Sequence, residues 1–94
     1  MVRWHIFFSG RVQGVGFRYQ SAWMARRRSL TGWVRNRSDG RVEMEVQGNP
    51  SEIEGMLAEL KGDSYIQIRR IDSEEIPLVE GEKKFVTRYT CYDD

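Results

Sequence analysis

The sequence predicts an α+β protein in which a single antiparallel sheet is covered on one face by two helices. Segments with strand and helix spacing follow the order strand, helix, strand, strand, helix, strand, with one further strand at the end. This split βαβ order packs as one sheet against one layer of helices. Because two helices cannot bury both faces, we expect the other face to be largely solvated or to serve an interface.

The size and composition indicate one globular domain that spans residues 1–94, with 39% apolar residues. The single Cys91 cannot form an intramolecular disulfide, and the lone His5 reads as an ordinary strand residue. No Cys/His cluster has metal-ligand spacing, so we expect neither a metal nor another cofactor. No apolar run reaches the ~18 residues of a membrane span, and no export leader precedes the first strand. A cytoplasmic protein without membrane contact is therefore expected.

The first half of the chain predicts a strand, a glycine loop and a helix. Trp4, Ile6 and Phe8 alternate along a central strand, and residues 10–16 form the loop. A helix of about eleven residues follows, with its inward positions at Phe17, Ser21, Met24 and Ala25. The helix ends in three arginines, residues 26–28, whose positive charges interact favourably with the C-terminal end of the helix dipole. Exposure of these side chains to solvent is a better interpretation than contact with a nucleic acid.

The next segments predict a hairpin and a second helix. Residues 31–36 form a strand, residues 38–40 turn, and Val42, Met44 and Val46 alternate along the cleanest half-buried strand. Asn49 caps the second helix, which ends at Gly62. A fourth strand is predicted through Ile66, Ile68 and Ile71. Residues 72–82 are predicted to form an acidic loop or edge excursion, and residues 85–92 are predicted to form the last strand.

Charge is divided unevenly between the two halves. Residues 1–41 hold nine arginines and one acid, a net +8, whereas residues 42–94 hold six basic and thirteen acidic residues, a net −7. Such asymmetry indicates either an anionic partner for the basic half or two halves that neutralise each other in the fold.

The loop between the first strand and the first helix is the strongest chemical signal. Its glycines can direct several N–H groups to one point at the positive end of the helix dipole, with Arg18 beside them. A dinucleotide fingerprint fails because Tyr19 stands where the third glycine belongs, and the Lys-Ser/Thr of a mononucleotide loop is missing. Two interpretations remain: a cradle for a small phosphate, and an ordinary turn whose glycines only permit positive φ.

An RNA-binding sheet of the same element order is a weaker alternative. Its third strand would carry aromatic rings that stack bases, whereas residues 41–46 carry Glu43 and Glu45 and no ring. Nucleic acid is therefore not expected as a partner. A non-catalytic anion- or RNA-binding module that uses the basic half stays open, although Glu43 and Glu45 argue against it.

An enzyme built on this chain would act by positioning and electrostatics, because the sequence has no Ser, Cys or His constellation and its basic half has no carboxylate cluster for magnesium. Phosphoryl transfer allows this when the leaving group is good, as the carboxylate of an acyl phosphate is. Asn36 could then align the attacking water. From spacing alone, a role for Asn36 in capping the turn is the better interpretation.

These motifs together resemble the acylphosphatase family, over nearly the whole chain. The residues that carry the resemblance are Gly10-Arg11-Val12-Gln13-Gly14-Val15-Gly16-Phe17-Arg18, Leu30-Thr31-Gly32-Trp33-Val34-Arg35-Asn36, Asp39-Gly40-Arg41-Val42 and Gln47-Gly48. Residues 62–65 and 72–84 match the family poorly.

The resemblance implies a ferredoxin-like α/β sandwich and metal-free hydrolysis of carboxyl–phosphate bonds. It assigns catalysis to Arg18 and Asn36. For Asn36, this assignment reverses the preference for a turn-capping role that spacing alone supports. The resemblance assigns phosphate binding to Arg18 together with Gln13, Gly14, Val15, Gly16 and Phe17. The expected partners are a small-molecule acyl phosphate and inorganic phosphate as product and competitor, and a monomer is expected.

Overall fold

The computed structural model describes residues 1–89, which form five strands and two helices. In chain order the elements are β1 (Val2–Arg11), α1 (Phe17–Arg27), β2 (Thr31–Asn36), β3 (Val42–Gly48), α2 (Pro50–Lys61), β4 (Gln67–Ile76) and β5 (Phe85–Thr87). The strands make one sheet in the order β4-β1-β3-β2-β5, and both helices pack on the same face. The predicted α+β sandwich is therefore confirmed.

The core lies between the sheet and the helices and follows the predicted alternation. On β1 and β3, Ile6 pairs with Met44 and Phe8 with Val42, and all four side chains are fully buried. The helices add buried side chains at helical spacing, including Phe17, Ala25, Ile53, Met56 and Leu60. Each large apolar side chain buried in this way contributes about 1.5–3 kcal/mol. Within residues 1–89, neither helix is long and apolar enough to cross a membrane.

The sheet departs from the expected antiparallel pattern at one edge. β1, β2, β3 and β4 pair antiparallel, but β5 pairs parallel with β2. The parallel pairing follows from the connection, because residues 77–84 carry the chain from β4 at one edge to the opposite edge of the sheet.

A β-bulge at Arg69 explains the spacing of the isoleucines in β4. Ser9 of β1 pairs with Arg70 and Gly10 pairs with Ile68, so one residue of β4 is left without a partner. The extra residue brings Ile68 and Ile71 to the same face, where both pack against the core. Gly10 is required here, since it has φ 130° and a Cβ atom would lie 2.2 Å from the Gln67 carbonyl oxygen.

Two predicted boundaries are wrong. Residues 72–76 continue β4, and only residues 77–84 lack strand structure; an edge strand tolerates the charged residues that suggested a loop. The last strand, predicted over residues 85–92, ends at Thr87, and residues 90–92 lie outside the described part of the chain. Beyond Thr87 the Arg88 N–H still donates to the Val34 carbonyl, at 2.8 Å.

Of the two expectations for the sheet face opposite the helices, extensive exposure to solvent is wrong, because the chain itself covers part of this face. It carries a charged layer in which Arg3 is 2% exposed and Glu43 is 6% exposed. Residues 77–84 cross this face and bind to it, because the Gln47 side chain exchanges two hydrogen bonds with the Val79 backbone. Glu82 of the same segment forms an ion pair with Arg3 at 2.8 Å.

The two oppositely charged halves of the chain interleave. Arg3 and Arg35 of the basic half pair with Glu45 and Glu43 of the acidic half. The arginine run is held by the fold as well: the Arg26 guanidinium donates to the Phe85 carbonyl oxygen, and the other two arginines pair with acids of α2. The charge asymmetry of the sequence is thus largely neutralised within the molecule.

Candidate active site

The loop between β1 and α1 owes its shape to two glycines in the left-handed region. Gly14 has φ 71° and Gly16 has φ 81°. A Cβ atom at either position would meet no other atom within 4 Å, so glycine serves the backbone conformation rather than a close approach. The chain thereby turns sharply from the sheet into the first helix.

The N-terminus of α1 is left open by the protein. Gly16 occupies the N-cap position without a side-chain hydrogen bond, and the first turn contains no acidic residue. The first N–H groups of a helix have no partner within the helix, and the helix dipole adds positive potential there. Such an arrangement suits an oxyanion.

A cavity of about 190 Å³ opens at this helix end. Its walls are formed by Val12, Gly14, Gly16, Phe17, Arg18, Tyr19 and Asn36. The cavity thus brings together five residues that the sequence assigns to the site: Gly14, Gly16, Phe17, Arg18 and Asn36. Gln13 and Val15 lie outside the walls, and their share in phosphate binding stays a prediction.

Arg18 lies in the first turn of α1 and is half-buried. Its Nη1 donates to the carbonyl oxygen of Arg88 at 3.0 Å, which ties the side chain to the chain just beyond β5. Since a guanidinium group has five N–H donors, most of its hydrogen-bonding capacity remains for an anion.

Asn36 ends β2 and is not engaged in the turn that follows it. Asp39 fills the capping role, because its Oδ1 accepts from the Arg41 N–H at 3.0 Å and its Oδ2 accepts from the Arg41 guanidinium at 2.7 Å. The Arg41 side chain, followed by the Arg41 N–H, holds the pKa of Asp39 well below its usual range. Within residues 1–89, the Asn36 side chain makes no hydrogen bond, and Asn36 lines the cavity.

The Gln13 side chain connects the glycine loop to the β2–β3 hairpin. Its Nε2 donates to the carbonyl oxygens of Arg37 and Arg41, at 2.7 and 2.8 Å. These two bonds brace the loop against the turn of the hairpin, which follows Asn36. Sequence reasoning assigned Gln13 to phosphate binding and missed this bracing contact, which joins residues 24 and 28 positions apart in the chain.

Glu43 is a β3 residue of the same hairpin and lies on the sheet face opposite the helices. It accepts hydrogen bonds from the side chains of His5, Arg35 and Arg37. Burial by itself would raise the pKa of Glu43, but these donors outweigh it and hold the pKa below its ordinary value. The cluster therefore holds an ionised carboxylate among cations and links β1, β2 and β3.

Sequence reasoning did not assign Val12 or Tyr19 to the site. Val12 is buried and closes the floor of the cavity, whereas Tyr19 is 74% exposed at its rim. A helical projection would have found Tyr19, because it lies off the face that carries Phe17, Ser21 and Met24.

Two further features bear on the assignment of the site. Within residues 1–89, no group of three or more His, Cys, Asp or Glu side chains is placed to hold a metal ion. A larger cavity, of about 630 Å³, lies at the other end of β2, around Arg26, Thr31 and Lys84. None of the residues that the sequence assigns to the site lines it.

The fold and the smaller cavity define a small α+β protein with a cavity at the start of its first helix. The acylphosphatase family model matches residues 4–87, so the chain belongs to the acylphosphatase family. The protein is accordingly an enzyme, a hydrolase with acylphosphatase activity.

Individual relatives agree with this assignment over nearly their whole lengths. The chain is 42% identical over 90 residues to an acylphosphatase of Clostridium beijerinckii, covering 95% of this chain and 100% of the relative. It is 44% identical over 90 residues to an acylphosphatase of Geobacillus kaustophilus, with 95% and 96% covered. The crystal structure of an acylphosphatase from Bacillus subtilis superposes with a TM-score of 0.86 at 38% identity, covering 95% of this chain and 100% of that one.

Proposed function

We propose that the enzyme hydrolyses the carboxyl–phosphate bond of small acyl phosphates by in-line attack of a water molecule that Asn36 positions. The water oxygen bonds to phosphorus while the bond from phosphorus to the acyl oxygen breaks. The products are a carboxylate and inorganic phosphate, and one proton passes to the phosphate or the solvent. The observation that carries this proposal is the cavity shared by the glycine loop, Arg18 and Asn36.

The phosphoryl oxygens would be held by the loop and by Arg18. The open start of α1 and residues 13–17 supply N–H donors, and the tethered Arg18 guanidinium supplies a charged fork. These groups are in place before the substrate arrives, so they stabilise the charge of the transition state without reorganising.

Asn36 is suited to orient water because its side chain is unengaged at the cavity wall. An amide accepts a hydrogen bond from water through its oxygen and donates one to a phosphoryl oxygen through its nitrogen. With both bonds made, the water is held beside the phosphorus atom, and positioning of this kind lowers the entropic part of the barrier.

The lining of the cavity favours acyl phosphates over alkyl phosphate esters. Its seven residues include no carboxyl, imidazole or thiol group that could protonate a poor leaving group, and the one phenol, that of Tyr19, is 74% exposed. The carboxylate of an acyl phosphate departs without protonation, whereas an alkoxide does not. A loose phosphoryl-transfer transition state then needs only charge stabilisation and alignment. The proposal therefore includes no metal and no other cofactor, and it takes the enzyme to be monomeric and cytoplasmic.

The experiment is hydrolysis of benzoyl phosphate, followed by ultraviolet absorbance with a chelator present, in the wild type and in Asn36→Ala. Loss of the positioned water should lower kcat about 10²–10³-fold with a much smaller rise in KM. Asn49→Ala is the matched control, because it removes the other asparagine of the chain, at the start of α2, and should retain kcat.

Three results would contradict the proposal. A wild-type kcat in Asn36→Ala would remove the role in positioning water, and inactivation by the chelator would refute the metal-free scheme. A folded wild type that binds inorganic phosphate without hydrolysing acyl phosphates would indicate a binding module.

A further inference from the structure

Two large aromatic side chains stand exposed on α1, beginning at the rim of the candidate cavity. Tyr19 is 74% exposed and Trp23 is 52% exposed. They are four residues apart, so their side chains are neighbours on the helix surface. Tyr19 also forms part of the cavity wall. We refer to Tyr19 and Trp23 as the aromatic ledge.

The fold itself does not account for this ledge. The core face of α1 is formed by other residues, namely Phe17, Ser21, Ala22, Met24 and Ala25. Single exposed apolar residues are ordinary in proteins, but two exposed aromatic residues one helical turn apart, one of which lines a cavity, are typical of a binding surface.

The outer part of the ledge is held in place by its neighbours. The Arg27 guanidinium lies 4.4 Å from the centroid of the Trp23 ring, in a cation–π contact. Arg27 in turn forms an ion pair with Glu59 of α2. The indole is therefore packed against a tethered cation, and a ligand that meets it has less side-chain freedom to remove.

Tyr19 is the cavity residue that remains for the non-reacting part of a substrate. Among the other lining residues, Val12 and Phe17 are 1% and 2% exposed and the glycines have no side chains. Arg18 and Asn36 serve the phosphoryl group in the proposed reaction. The group bonded to that phosphoryl is the acyl group, and Tyr19 is the lining side chain left to contact it.

We propose that the aromatic ledge binds the acyl group of the substrate and selects planar aromatic acyl phosphates over acetyl phosphate. This inference rests on the proposed function and deepens it by naming a substrate class. An aromatic acyl group stacks on the Tyr19 ring and reaches towards Trp23, whereas an acetyl group is too short to cover either ring. Offset stacking of aromatic rings contributes beyond the area it buries.

A binding experiment tests the ledge independently of turnover. Benzoylphosphonate and acetylphosphonate replace the labile oxygen bridge with a P–C bond, and calorimetry gives the ratio of their affinities. The wild type should favour benzoylphosphonate, and Tyr19→Ala should reduce that preference about three- to tenfold. Trp23→Ala should reduce it less, and Tyr19→Phe should retain it. Leu78→Ala is the control, because it truncates a 49% exposed apolar side chain that is absent from the cavity wall.

The ratio of kcat/KM for benzoyl phosphate and acetyl phosphate, measured in the same variants, separates this inference from the proposed function. A preference lost in Tyr19→Ala supports the ledge. Turnover with the same ratio in wild type and Tyr19→Ala overturns the ledge and leaves the reaction standing. Binding that depends on Tyr19, without any hydrolysis, supports the ledge and overturns the reaction. A wild-type dimer that dissociates in Tyr19→Ala, with an unchanged ratio, would assign the ledge to a second copy of the chain and overturn the inference.

Discussion

The two helices of this protein begin in opposite ways. At the start of α2, Asn49 Oδ1 accepts a hydrogen bond from the Ser51 N–H at 3.0 Å, and Glu52 places an acid in the first turn. At the start of α1, Gly16 provides no side-chain cap, and no acid is present in the first turn. The chain satisfies the N-terminus of α2 by itself and leaves that of α1 available to an anion.

Two arginines repeat this contrast. The Arg3 guanidinium is buried on the sheet face opposite the helices. There it donates to Glu45 and Glu82 at 2.8 Å each and to Gln47 at 3.2 Å. Arg18 donates to one backbone carbonyl and lines the cavity. A charge with matched partners maintains the fold, whereas a charge with spare donors is available for a ligand. Substitutions in the two kinds of region should therefore affect different quantities.

The largest effect is expected for Arg18→Gln. Loss of the charged fork should lower kcat/KM for benzoyl phosphate about 10²–10³-fold, with both binding and turnover reduced. The free energy of unfolding should change by less than about 1 kcal/mol, because the side chain makes a single hydrogen bond. Steady-state kinetics and urea denaturation measure the two quantities. If the free energy of unfolding fell together with kcat/KM, Arg18 would have a structural role like that of Arg3.

Glu43→Gln should have the opposite signature, with activity retained and stability lost. At pH 7 the variant should lose roughly 1–3 kcal/mol, because three donors face an amide in place of a carboxylate. The pKa of Glu43 lies below its ordinary value in the folded state, so its contribution is present above pH 4.5 and is lost as the pH falls through the folded pKa. Urea denaturation at pH 7, 5 and 3 should thus show the difference from wild type shrinking with acidity. A constant difference would contradict this account.

Gln13→Ala tests the brace between the glycine loop and the hairpin. Without its bonds to the Arg37 and Arg41 carbonyls, the loop is no longer held in register with Asn36, and kcat should fall about tenfold. The exposed Gln67 provides the control, since Gln67→Ala should leave kcat unchanged. A lower melting temperature with an unchanged kcat would restrict Gln13 to a structural role.

The smallest effect is expected for Asn49→Ala at the capped helix. Loss of the cap should destabilise the protein by about 1 kcal/mol, while kcat and KM for benzoyl phosphate stay at their wild-type values. Thermal unfolding and kinetics on one preparation measure both. A fall in kcat would show that the two helix starts are not functionally separate.

Much of the fold followed from local patterns in the sequence. The alternation through Val42, Met44 and Val46 predicted β3, and Asn49 followed by Pro50 predicted the start of α2. These predictions succeeded because alternation and capping depend on residues close in the chain. Of the candidate site, the glycine loop and Arg18 could be argued from chemistry, whereas the role of Asn36 came from the family resemblance.

The predictions that failed depended on contacts between distant segments. β4 extends to Ile76 because it pairs with β1 as far as Arg3, and its acidic residues gave no local sign of this. The sheet face opposite the helices is covered because Val79 and Glu82 bind to it. They belong to a segment whose only distinctive feature in the sequence is its acidic composition. Pairing between strands and the path of a connection across a sheet leave little trace in local periodicity.

The sequence by itself determined the element order, the apolar core and a backbone conformation that only glycine favours at positions 14 and 16. Those properties arise from side-chain spacing and from the steric limits on φ. Only the tertiary structure decided that Asp39 rather than Asn36 caps the hairpin turn, and that Tyr19 stands at the rim of the cavity. The physical reason is that a residue's partner is set by its neighbours in space, and β2, the glycine loop and α1 meet only once the sheet has formed.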